Sequence, residues 1–344
     1  MNASGLSSPV VARSNLQPLF ADVDWQPVIN AIAAADKILL TTHCNPDGDG
    51  IGSQQAMYDA LIAMGKNVVM HNFDGVPRIY SFLKHAEQVT MGAWQSGSQD
   101  ADLIIALDCG AKGRLGMADA FYDGTQLVNI DHHVSNKYFA DINIVDARYC
   151  ATGAMVFDLL IAMDIALTRC SASAIYAAVL TDTASFRLSN ATSAVYRMAA
   201  DLIDAGAEPW PITIHIYESQ PLAGLKILKA TLDTLQLRDE NRSAWIHVTS
   251  DMYQSTGADV EDSEGLIDYA RSIDGVEVAV FIRCDENHDN CWKVSFRGKT
   301  TADVGALAAT LGGGGHKHAA GCLMRGGFDD VRTTVEKAVS QILG

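Results

Sequence analysis

Short apolar runs alternate with longer amphipathic segments over the first two thirds of the chain. Runs of strand length occur at 37–42, 67–73, 102–109 and 126–130, and helix-like stretches such as 51–64 lie between or after them. Apolar strands separated by helical segments are typical of a parallel sheet that is covered by helices on both faces. The pattern therefore predicts an α/β layer architecture for this part of the chain.

The hydrophobic pattern changes after about residue 205. Three prolines within 206–222 interrupt the helical periodicity, and this interruption predicts a linker. Beyond it the runs are mixed, with strand-like runs at 244–249, 276–284 and 291–298 and helix-like segments near 264–273 and 331–343. We therefore predict a first domain over 1–205 and a smaller α+β domain over 223–344, with the active site in the cleft between them.

Length and composition limit the class of protein. A chain of 344 residues that is 48% hydrophobic and 19% charged is typical of a globular protein with two domains. It contains neither a long apolar stretch nor an export or import pattern at its start, so we expect a cytoplasmic protein without a membrane span. Seven cysteines without metal-type spacing indicate reduced thiols.

The net charge restricts the partners. A formal charge of −16, with 25 basic against 41 acidic residues, creates a field that repels polyanions. Proteins that grip extended nucleic acid neutralise several phosphates with Lys and Arg, and no obvious basic run is present. We therefore exclude long duplex nucleic acid as a ligand and expect that any phosphorylated substrate meets local cations.

Acidic residues collect where the predicted strands end. Acidic residues and histidines occur in four segments. His43, Asp47 and Asp49 follow the first strand, Asp108 ends the third, Asp131, His132 and His133 end the fourth, and Asp182 follows the helical run 172–180. Ligands of open α/β sheets bind at the carboxyl ends of the strands, so these segments are expected to converge. A single Asp at a strand end is often only a helix cap. Four acidic segments at one edge are instead typical of a metal site.

The charge of such a cluster requires cations. Each pair of carboxylates about 4 Å apart would repel by roughly 4 kcal/mol at an effective dielectric constant of about 20. Two divalent cations would cancel this repulsion. Mixed carboxylate and imidazole ligands suit Mn²⁺ better than an all-oxygen calcium cage, so we expect manganese first and magnesium second.

At this point the sequence resembles a known family. The segments HCNPDGDGIGS, ALDCG, DHH and TDTASF are similar to the four ordered motifs of the DHH phosphoesterases. A glycine-rich segment, GGGGHKHAAG, and the upstream VSFR resemble the substrate-binding domain found in the nanoRNase and 3′-phosphoadenosine 5′-phosphate phosphatase branch. The resemblance covers the whole chain, and it implies that the first domain is catalytic and the second binds substrate.

The resemblance implies roles for individual residues. One metal would be held by His43, Asp47 and Asp108. The other would be held by Asp49, Asp108, His132 and Asp182, so that Asp108 bridges the two ions. Two ions in this arrangement polarise phosphoryl oxygens and activate a water for in-line attack. His133 would face the substrate phosphate or assist the leaving oxygen, and Asp131 would orient a neighbouring histidine.

The glycine-rich segment of the second domain predicts a binding site for substrate. Consecutive glycines let a phosphate or base approach backbone N–H groups, and Arg297 can clamp a phosphate bidentately. The predicted contacts are Arg297, Gly313, Gly314, Gly315 and His316. The glycines taken alone also suit a plain break after a helix that ends near Leu311.

Several other polar residues stay outside the predicted site. Arg114 and Arg187 follow motif segments, where each could contact a phosphate or be an ordinary surface or ion-pair residue, and neither is included in the predicted site. His71, His85 and His215 have no convergent partners in the sequence, so we expect them to be structural.

The favoured function is hydrolysis of short single-stranded RNA to nucleoside 5′-monophosphates, together with dephosphorylation of 3′-phosphoadenosine 5′-phosphate to AMP. Alternatives are a phosphodiesterase of linear or cyclic dinucleotides, a pyrophosphate or polyphosphate hydrolase, and a nucleotide-binding regulator without activity. The resemblance also implies a homodimer.

Overall fold

A computed structural model gives the fold of the chain. It describes residues 16–93, 101–118, 122, 124–285, 288, 290–299 and 301–344, and of His316 it describes the backbone only. The chain divides into two compact units, Met1–Ser219 and Gln220–Gly344. All seven cysteines are free. Within the described ranges, each helix is too short or too polar to cross a lipid bilayer.

The first unit is built on a sheet of six parallel strands. Its strands are β1 Lys37–Thr41, β2 Asn67–Asn72, β3 Val89–Met91, β4 Leu103–Leu107, β5 Gln126–Asp131 and β6 Ile142–Val145. They lie in the order β3-β2-β1-β4-β5-β6, and every neighbouring pair is parallel. The strand order reverses between β1 and β4, and this switch point is where open α/β sheets bind ligands.

In the described part of the first unit, six α-helices accompany this sheet. They are α1 Gln26–Ala34, α2 Gly48–Ala63, α3 Thr152–Ala162, α4 Arg169–Asp182, α5 Ser193–Asp204 and α6 Pro209–Tyr217. The central strands are buried along their length, as in β4, where all five residues are buried. This burial explains why the central strands appear in the sequence as continuous apolar runs and not as alternating ones. The predicted parallel α/β architecture is confirmed.

Helices α2 and α4 approach each other closely because small residues line their contact. A Cβ atom added at Gly52 would lie 2.4 Å from the carbonyl oxygen of Ala174, and one added at Gly48 would lie 2.4 Å from Oγ1 of Thr181. Both glycines have ordinary helical backbone, so their role is close packing and not an unusual turn. The packing brings the first turn of α2 next to the end of α4.

The segment assigned to a linker by the sequence contains a helix. Helix α6 begins with Pro209 and Pro211 in its first turn, where proline is compatible with helical geometry. Its side chains Ile212 and Ile216 are buried in the core of the first unit. The prolines therefore start a helix here, and the proposed limits of the two domains stay a prediction.

The second unit contains a mixed sheet with helices on both faces. Its strands are β7 Gln236–Arg238, β8 Ser243–Val248, β9 Val278–Cys284, β10 Cys291–Gly298, β11 Gly314–His316 and β12 Ala319–Arg325, in the order β11-β12-β10-β9-β8-β7. Only β8 and β9 are parallel neighbours among these strands. The helices are α7 Leu222–Leu232, α8 Ser250–Thr256, α9 Ile267–Ser272, α10 Val304–Thr310 and α11 Phe328–Leu343.

Alternation along β9 shows how the second sheet is buried on both faces. Val278 and Val280 belong to the core formed with α10 and α11, whereas Ala279 and Phe281 belong to the core formed with α7, α8 and α9. Successive side chains of a strand point to opposite faces, so a strand between two helical layers is apolar throughout. The predicted α+β character of this part is confirmed.

Candidate metal centre

The carboxyl ends of three neighbouring strands hold most of the predicted site. His43 follows β1, Asp108 follows β4, and Asp131 ends β5 directly before His132 and His133. Because β1 and β4 flank the switch point of the sheet, His43 and Asp108 are delivered to the same crevice. The first turn of α2 and the last turn of α4 add carboxylates to it.

Asp47 serves as the N-cap of α2. Its Oδ1 accepts hydrogen bonds from the backbone amides of Asp49 and Gly50 at 3.0 and 3.1 Å, which satisfies amides that the helix leaves unpaired. The same oxygen lies 3.8 Å from Nε2 of His43. Capping therefore fixes the carboxylate in front of the imidazole.

Asp108 lies between two histidines. Its Oδ2 is 3.4 Å from Nε2 of His43, and its Oδ1 is 3.7 Å from Nε2 of His132. Asp108 has a φ of 55°, a left-handed conformation that is uncommon for any residue but glycine and is often found at functional sites. The turn directs the two carboxylate oxygens toward different imidazoles.

His132 also meets the carboxylates of the two packed helices. Its Nε2 is 3.6 Å from Oδ2 of Asp49 on α2 and 3.4 Å from Oδ2 of Asp182 on α4. Its Nδ1 lies 3.3 Å from the carbonyl oxygen of Tyr149, so Nδ1 carries the proton. Nε2 faces the carboxylates and is the ring nitrogen available to a metal ion.

Asp131 holds His133 rather than His132. Its Oδ1 accepts a hydrogen bond of 2.6 Å from Nδ1 of His133, and its Oδ2 accepts one of 2.6 Å from Nδ2 of Asn136. Asp131 is fully buried. Asp131 was predicted to orient a neighbouring histidine, and the histidine that it contacts is His133.

The crowded carboxylates perturb each other's protonation. Burial, followed by the charge of Asp108, raises the pKa of Asp49 well above its usual range. Partial burial raises the pKa of Asp182 to about 7, with a further contribution from Asp108. Burial alone would lower the pKa of His43, but the carboxylates of Asp108 and Asp47 raise it to about 10. Without a cation, the site therefore binds extra protons.

The donor atoms fit two divalent cations. Ligand atoms of His43, Asp47 and Asp108 lie within 4.8 Å of one another, and so do those of Asp49, His132 and Asp182. Asp108 lies beside both groups. Carboxylate oxygens mixed with imidazole nitrogens are ligands of first-row divalent ions. The six predicted ligands are thus brought together by the fold.

Some residues at this centre were not predicted from the sequence. The carboxylate of Asp49 accepts hydrogen bonds from the amides of Thr152 and Gly153 at 2.6 and 2.8 Å. These amides begin helix α3, which has no side-chain cap of its own. A helix start without a capping residue was the available signal, because its amides need an acceptor from elsewhere in the chain.

Arg114 also belongs to the surroundings of the centre. Its Nη2 lies 3.1 Å from Nδ1 of His43, and its carbonyl accepts the amide of Cys44. Nδ1 of His43 is also 2.8 Å from the carbonyl oxygen of Cys44. Arg114 is not among the predicted site residues, yet its guanidinium lies beside a predicted metal ligand. Arg187 instead donates to the carbonyl of Ala184.

The residues predicted to bind substrate lie in the second unit. Arg297 on β10 and His316 on β11 are both in register with Ala319 on β12, so they occupy one row of the sheet about 10 Å apart. Burial lowers the pKa of Arg297. Within the described part of the chain, Arg297 has no carboxylate at salt-bridge distance.

The glycines next to His316 have packing roles. A Cβ atom at Gly313 would lie 2.1 Å from the carbonyl oxygen of Gly321, and Gly315 has a φ of 145° and lies against Ala320. Gly314 faces open space. Strand pairing thus accounts for two of the three glycines, and Gly314 is where a ligand could approach the backbone.

Comparison with protein families gives two matches. The DHH family, N-terminal domain, matches residues 37–181, which include all six candidate ligands except Asp182. The DHHA1 domain matches residues 247–342, which include Arg297 and His316. The two matches lie in the two compact units.

Curated relatives match along most of their length. The bifunctional oligoribonuclease and PAP phosphatase NrnA of Thermus thermophilus is 30% identical over 312 residues, covering 90% of this chain and 91% of the relative. The protein of the same name from Bacillus subtilis is 26% identical over 300 residues, covering 86% of this chain and 91% of the relative.

A solved structure matches across both units. An exopolyphosphatase-related protein from Bacteroides fragilis has a TM-score of 0.85 and 25% sequence identity, and the match covers 94% of this chain and 98% of that protein. The same architecture therefore occurs in a protein whose sequence is 25% identical to this chain.

Proposed function

The chain belongs to the DHH family of phosphoesterases, and we propose that it hydrolyses very short RNA to nucleoside 5′-monophosphates and converts 3′-phosphoadenosine 5′-phosphate to AMP. The observation that carries the proposal is Asp108, whose two carboxylate oxygens face His43 and His132 at distances of 3.4 and 3.7 Å. A carboxylate between two imidazoles, with further carboxylates on each side, suits a pair of cations. The relatives named as oligoribonucleases and PAP phosphatases support the choice of substrates.

We assign the proposed ligands in two sets that share Asp108. His43 and Asp47 would complete the first set. Asp49, His132 and Asp182 would complete the second. Bound there, two divalent cations would polarise the phosphoryl group and activate a water for attack at phosphorus. Manganese is our first choice, and magnesium the second, because of the mixed carboxylate and imidazole donors.

The chain's own residues supply proton transfer and anchoring. Asp131 holds Nδ1 of His133, which fixes the orientation of the ring and raises the pKa of His133 despite the burial that opposes this shift. We propose that Nε2 of His133 donates to the leaving oxygen. We also propose that Arg114, which lies beside His43, holds a non-bridging phosphate oxygen.

The second unit would hold the part of the substrate that does not react. We propose that Arg297 and His316 contact a phosphate and that the backbone amide of Gly314 adds a donor, because these positions lie around β11 and β12. The relatives named as oligoribonucleases support a preference for RNA of a few nucleotides. Short substrates are the expected result.

Two further proposals concern the limits of the domains and the oligomeric state. The catalytic domain would extend over 1–205 and the substrate-binding domain over 223–344. The protein would act as a homodimer, which light scattering of the purified chain tests directly: a mass near 36.9 kDa, that of one chain, would contradict it.

A product-resolved assay tests the function. Purified protein with Mn²⁺ is offered a dinucleotide, a long single-stranded RNA of the same composition, 3′-phosphoadenosine 5′-phosphate, a cyclic dinucleotide and pyrophosphate. We expect mononucleotides from the dinucleotide, AMP from 3′-phosphoadenosine 5′-phosphate, and slow cleavage of the long strand. Equal rates on the dinucleotide and the long strand would contradict length selection, and binding without any product would favour a regulator.

A further inference from the structure

The segment between β6 and α3 contacts the second of the two sets of proposed ligands. This segment, residues 146–153, includes the first two residues of α3. The amides of Thr152 and Gly153 donate to the carboxylate of Asp49 at 2.6 and 2.8 Å. The hydroxyl of Thr152 donates to Oδ1 of Asp108 at 3.2 Å. The segment therefore holds one carboxylate of α2 and the carboxylate that follows β4.

The same segment also reaches the other two ligands of the second set. The carbonyl oxygen of Tyr149 accepts a hydrogen bond of 3.3 Å from Nδ1 of His132. The side-chain amide of Asn190 donates to the carbonyl oxygens of Cys150 and Asp182, both at 3.2 Å, and so joins the segment to the end of α4. All four members of the second set are therefore connected to one short stretch of chain.

The first set of proposed ligands is held by other parts of the chain. His43 lies against Arg114, and Asp47 caps the start of α2. Over the described residues, no hydrogen bond joins the segment 146–153 to either His43 or Asp47. Only Asp108, which the two sets share, is contacted by the segment. A shift of the segment would therefore act mainly on the second set.

A buried carboxylate on α3 anchors the segment. Asp158 is 1% exposed, and its Oδ2 accepts the hydroxyl of Tyr149 at 2.6 Å. Its two oxygens also accept the backbone amides of Leu19 and Phe20 at 2.8 and 3.0 Å. Burying a carboxylate is costly unless hydrogen bonds satisfy it. Three donors do so here, and one of them belongs to the residue whose carbonyl oxygen holds His132.

Residues 19–22 also pack against the segment by weaker contacts. The rings of Phe20 and Tyr149 meet edge to face with centroids 4.7 Å apart, and the guanidinium of Arg148 lies 4.5 Å from the centroid of Phe20. Arg148 also pairs with Asp22. The side chain of Arg148 is about half exposed, and exposed ion pairs contribute little to stability. The buried carboxylate of Asp158 is therefore the principal anchor.

We propose that Asp158 is a positioning residue for the cation of the second set. It holds Tyr149, whose carbonyl oxygen orients His132. It also ties α3, whose first amides hold Asp49, to residues 19 and 20. The inference rests on the proposed function, because it takes the two sets of ligands assigned there. It adds that a group outside both sets controls the affinity for one cation and not for the other.

Two substitutions weaken the anchor in different ways. Asp158→Asn keeps the size of the side chain. In either orientation of the new amide group, its NH₂ faces a backbone N–H, that of Leu19 or that of Phe20, so one donor loses its acceptor. Tyr149→Phe keeps the ring and leaves Asp158 with its two backbone partners. The second variant removes the hydroxyl alone, so it also serves if Asp158→Asn does not fold.

Two matched controls separate positioning from a general loss of stability. Asp59→Asn changes a buried carboxylate that is bonded to His85, and Tyr253→Phe removes a buried hydroxyl that is bonded to Ser263. Each control loses a buried hydrogen bond, so we expect a lower free energy of unfolding. Binding of Mn²⁺ should stay as in the wild type, because neither residue is bonded to a proposed ligand or to the segment 146–153.

Calorimetric titration of the full chain with Mn²⁺, in the absence of substrate, measures the affinities. We expect two bound ions in the wild type and in both controls. In Asp158→Asn and in Tyr149→Phe, one ion should bind as in the wild type and the other about 10- to 100-fold more weakly, the range for outer partners of metal ligands. Wild-type binding of both ions in either variant would overturn the proposal, and so would equal weakening of both ions or fewer than two ions in the wild type.

Backgrounds with one set disabled identify the affected ion. His43→Ala removes a ligand of the first set, and Asp182→Ala removes a ligand of the second. Adding Asp158→Asn to His43→Ala should weaken binding of the remaining ion by about 10- to 100-fold. Adding it to Asp182→Ala should leave binding of the remaining ion unchanged. Any other pattern would overturn the assignment of Asp158 to the second set.

Hydrolysis of RNA is measured in a separate assay, so the two proposals fail in distinguishable ways. A chain that shows the expected pattern of Mn²⁺ binding but does not hydrolyse RNA would contradict the proposed function alone. A chain that hydrolyses RNA, and whose Asp158→Asn variant binds both ions as the wild type does, would contradict the positioning role alone.

Discussion

Asp131 and His133 are joined by a hydrogen bond of 2.6 Å between Oδ1 and Nδ1. The two residues end the strand β5 and begin the following turn, and Asn136 occupies the second oxygen of the carboxylate. The carboxylate is fully buried. Its hydrogen bonds indicate that it holds neighbouring polar side chains in place. The role of Asp131, which is to orient His133, is therefore separate from the proposed binding of metal.

Replacing the orienting carboxylate tests this separation. For Asp131→Asn we expect kcat on a dinucleotide to fall by about 10- to 100-fold, the range seen when outer partners of catalytic groups are removed. KM and the number of bound Mn²⁺ ions should be unchanged, because Asp131 is not among the proposed ligands. Steady-state kinetics and metal analysis of the same sample check both. Loss of bound metal would show that Asp131 instead supports the proposed metal-binding side chains.

Asp108 is expected to be the most sensitive position of the centre. Asp108→Asn keeps the size of the side chain but removes the charge that lies between His43 and His132. We predict a loss of activity of more than about 100-fold, beyond the range for outer partners, together with fewer than two bound metal ions per chain. Asp146→Asn, on a surface ion pair with Arg148, is the control. Two bound ions and normal turnover in Asp108→Asn would rule out a shared ligand.

The metal-free protein should lose stability as the pH rises. The folded pKa of Asp182 is raised to about 7 by burial and Asp108, so the folded state holds more protons than the unfolded state between pH ~4 and that value. His43, with a pKa raised to about 10 by Asp108 and Asp47 against the effect of burial, stabilises fully below pH ~6.5 and loses this contribution as the pH passes its folded pKa. Both shifts have the same sign.

Denaturant unfolding in chelator at several pH values measures this effect. We expect the free energy of unfolding to fall from pH ~5 to pH ~9, and added Mn²⁺ to reduce the fall, because a cation replaces the protons. Asp182→Asn should show a smaller fall in the metal-free state. A free energy of unfolding that rises with pH in chelator would contradict the expectation.

The close contact between α2 and α4 should tolerate no side chain at Gly52. A Cβ atom there would lie 2.4 Å from a backbone oxygen of α4, and overpacking of this kind costs about 1–3 kcal/mol. We expect Gly52→Ala to lower the free energy of unfolding by this amount and to weaken Mn²⁺ binding, because Asp49 and Asp182 lie on the two helices. Gly113→Ala, where the added atom meets nothing within 4 Å, is the control. Equal stability of the two variants would contradict the packing argument.

Arg297 should affect binding more than chemistry. For Arg297→Ala we expect a higher KM for the dinucleotide, by about 10-fold or more, with little change in kcat, because the contact is to the part of the substrate that does not react. Arg297→Lys should recover only part of the loss, since lysine cannot make a bidentate contact. Lys229→Ala on the exposed face of α7 is the control. An unchanged KM would remove Arg297 from the site.

The sequence predicts the elements that are buried on both sides and says less about the others. Strands β1, β4 and β5 were predicted within two residues of their ends because their apolar runs are continuous, and β2 was predicted as closely although only its last three residues are buried. Strand β6 was missed, since its four residues are all only partly buried and give neither an apolar run nor a clear alternation. The linker prediction overlooked α6 because prolines that start a helix resemble prolines that interrupt one.

The structure brings together those predicted site residues that follow strands, whereas contacts between residues far apart in the sequence were not predicted. The ends of β1, β4 and β5 specify where His43, Asp108 and Asp131 lie, because parallel strands bring their carboxyl ends together. The pairing of His85 with Asp59, 26 residues away, has no local pattern, so His85 appeared to be without a partner. The glycines at 313 and 315 suggested a ligand, whereas strand pairing explains them.

The carboxylate of Asp49 has a double task, since it faces His132 and also accepts the first amides of α3. A mutation that removed this carboxylate to abolish catalysis would at the same time leave a helix start without its acceptor. Homologues that have lost activity would therefore tend to keep Asp49, because folding needs it, after the other proposed ligands have been substituted. An aspartate retained at this position is for that reason weak proof of activity, and the proposed ligands Asp108 and Asp182 would be the better indicators of an active enzyme.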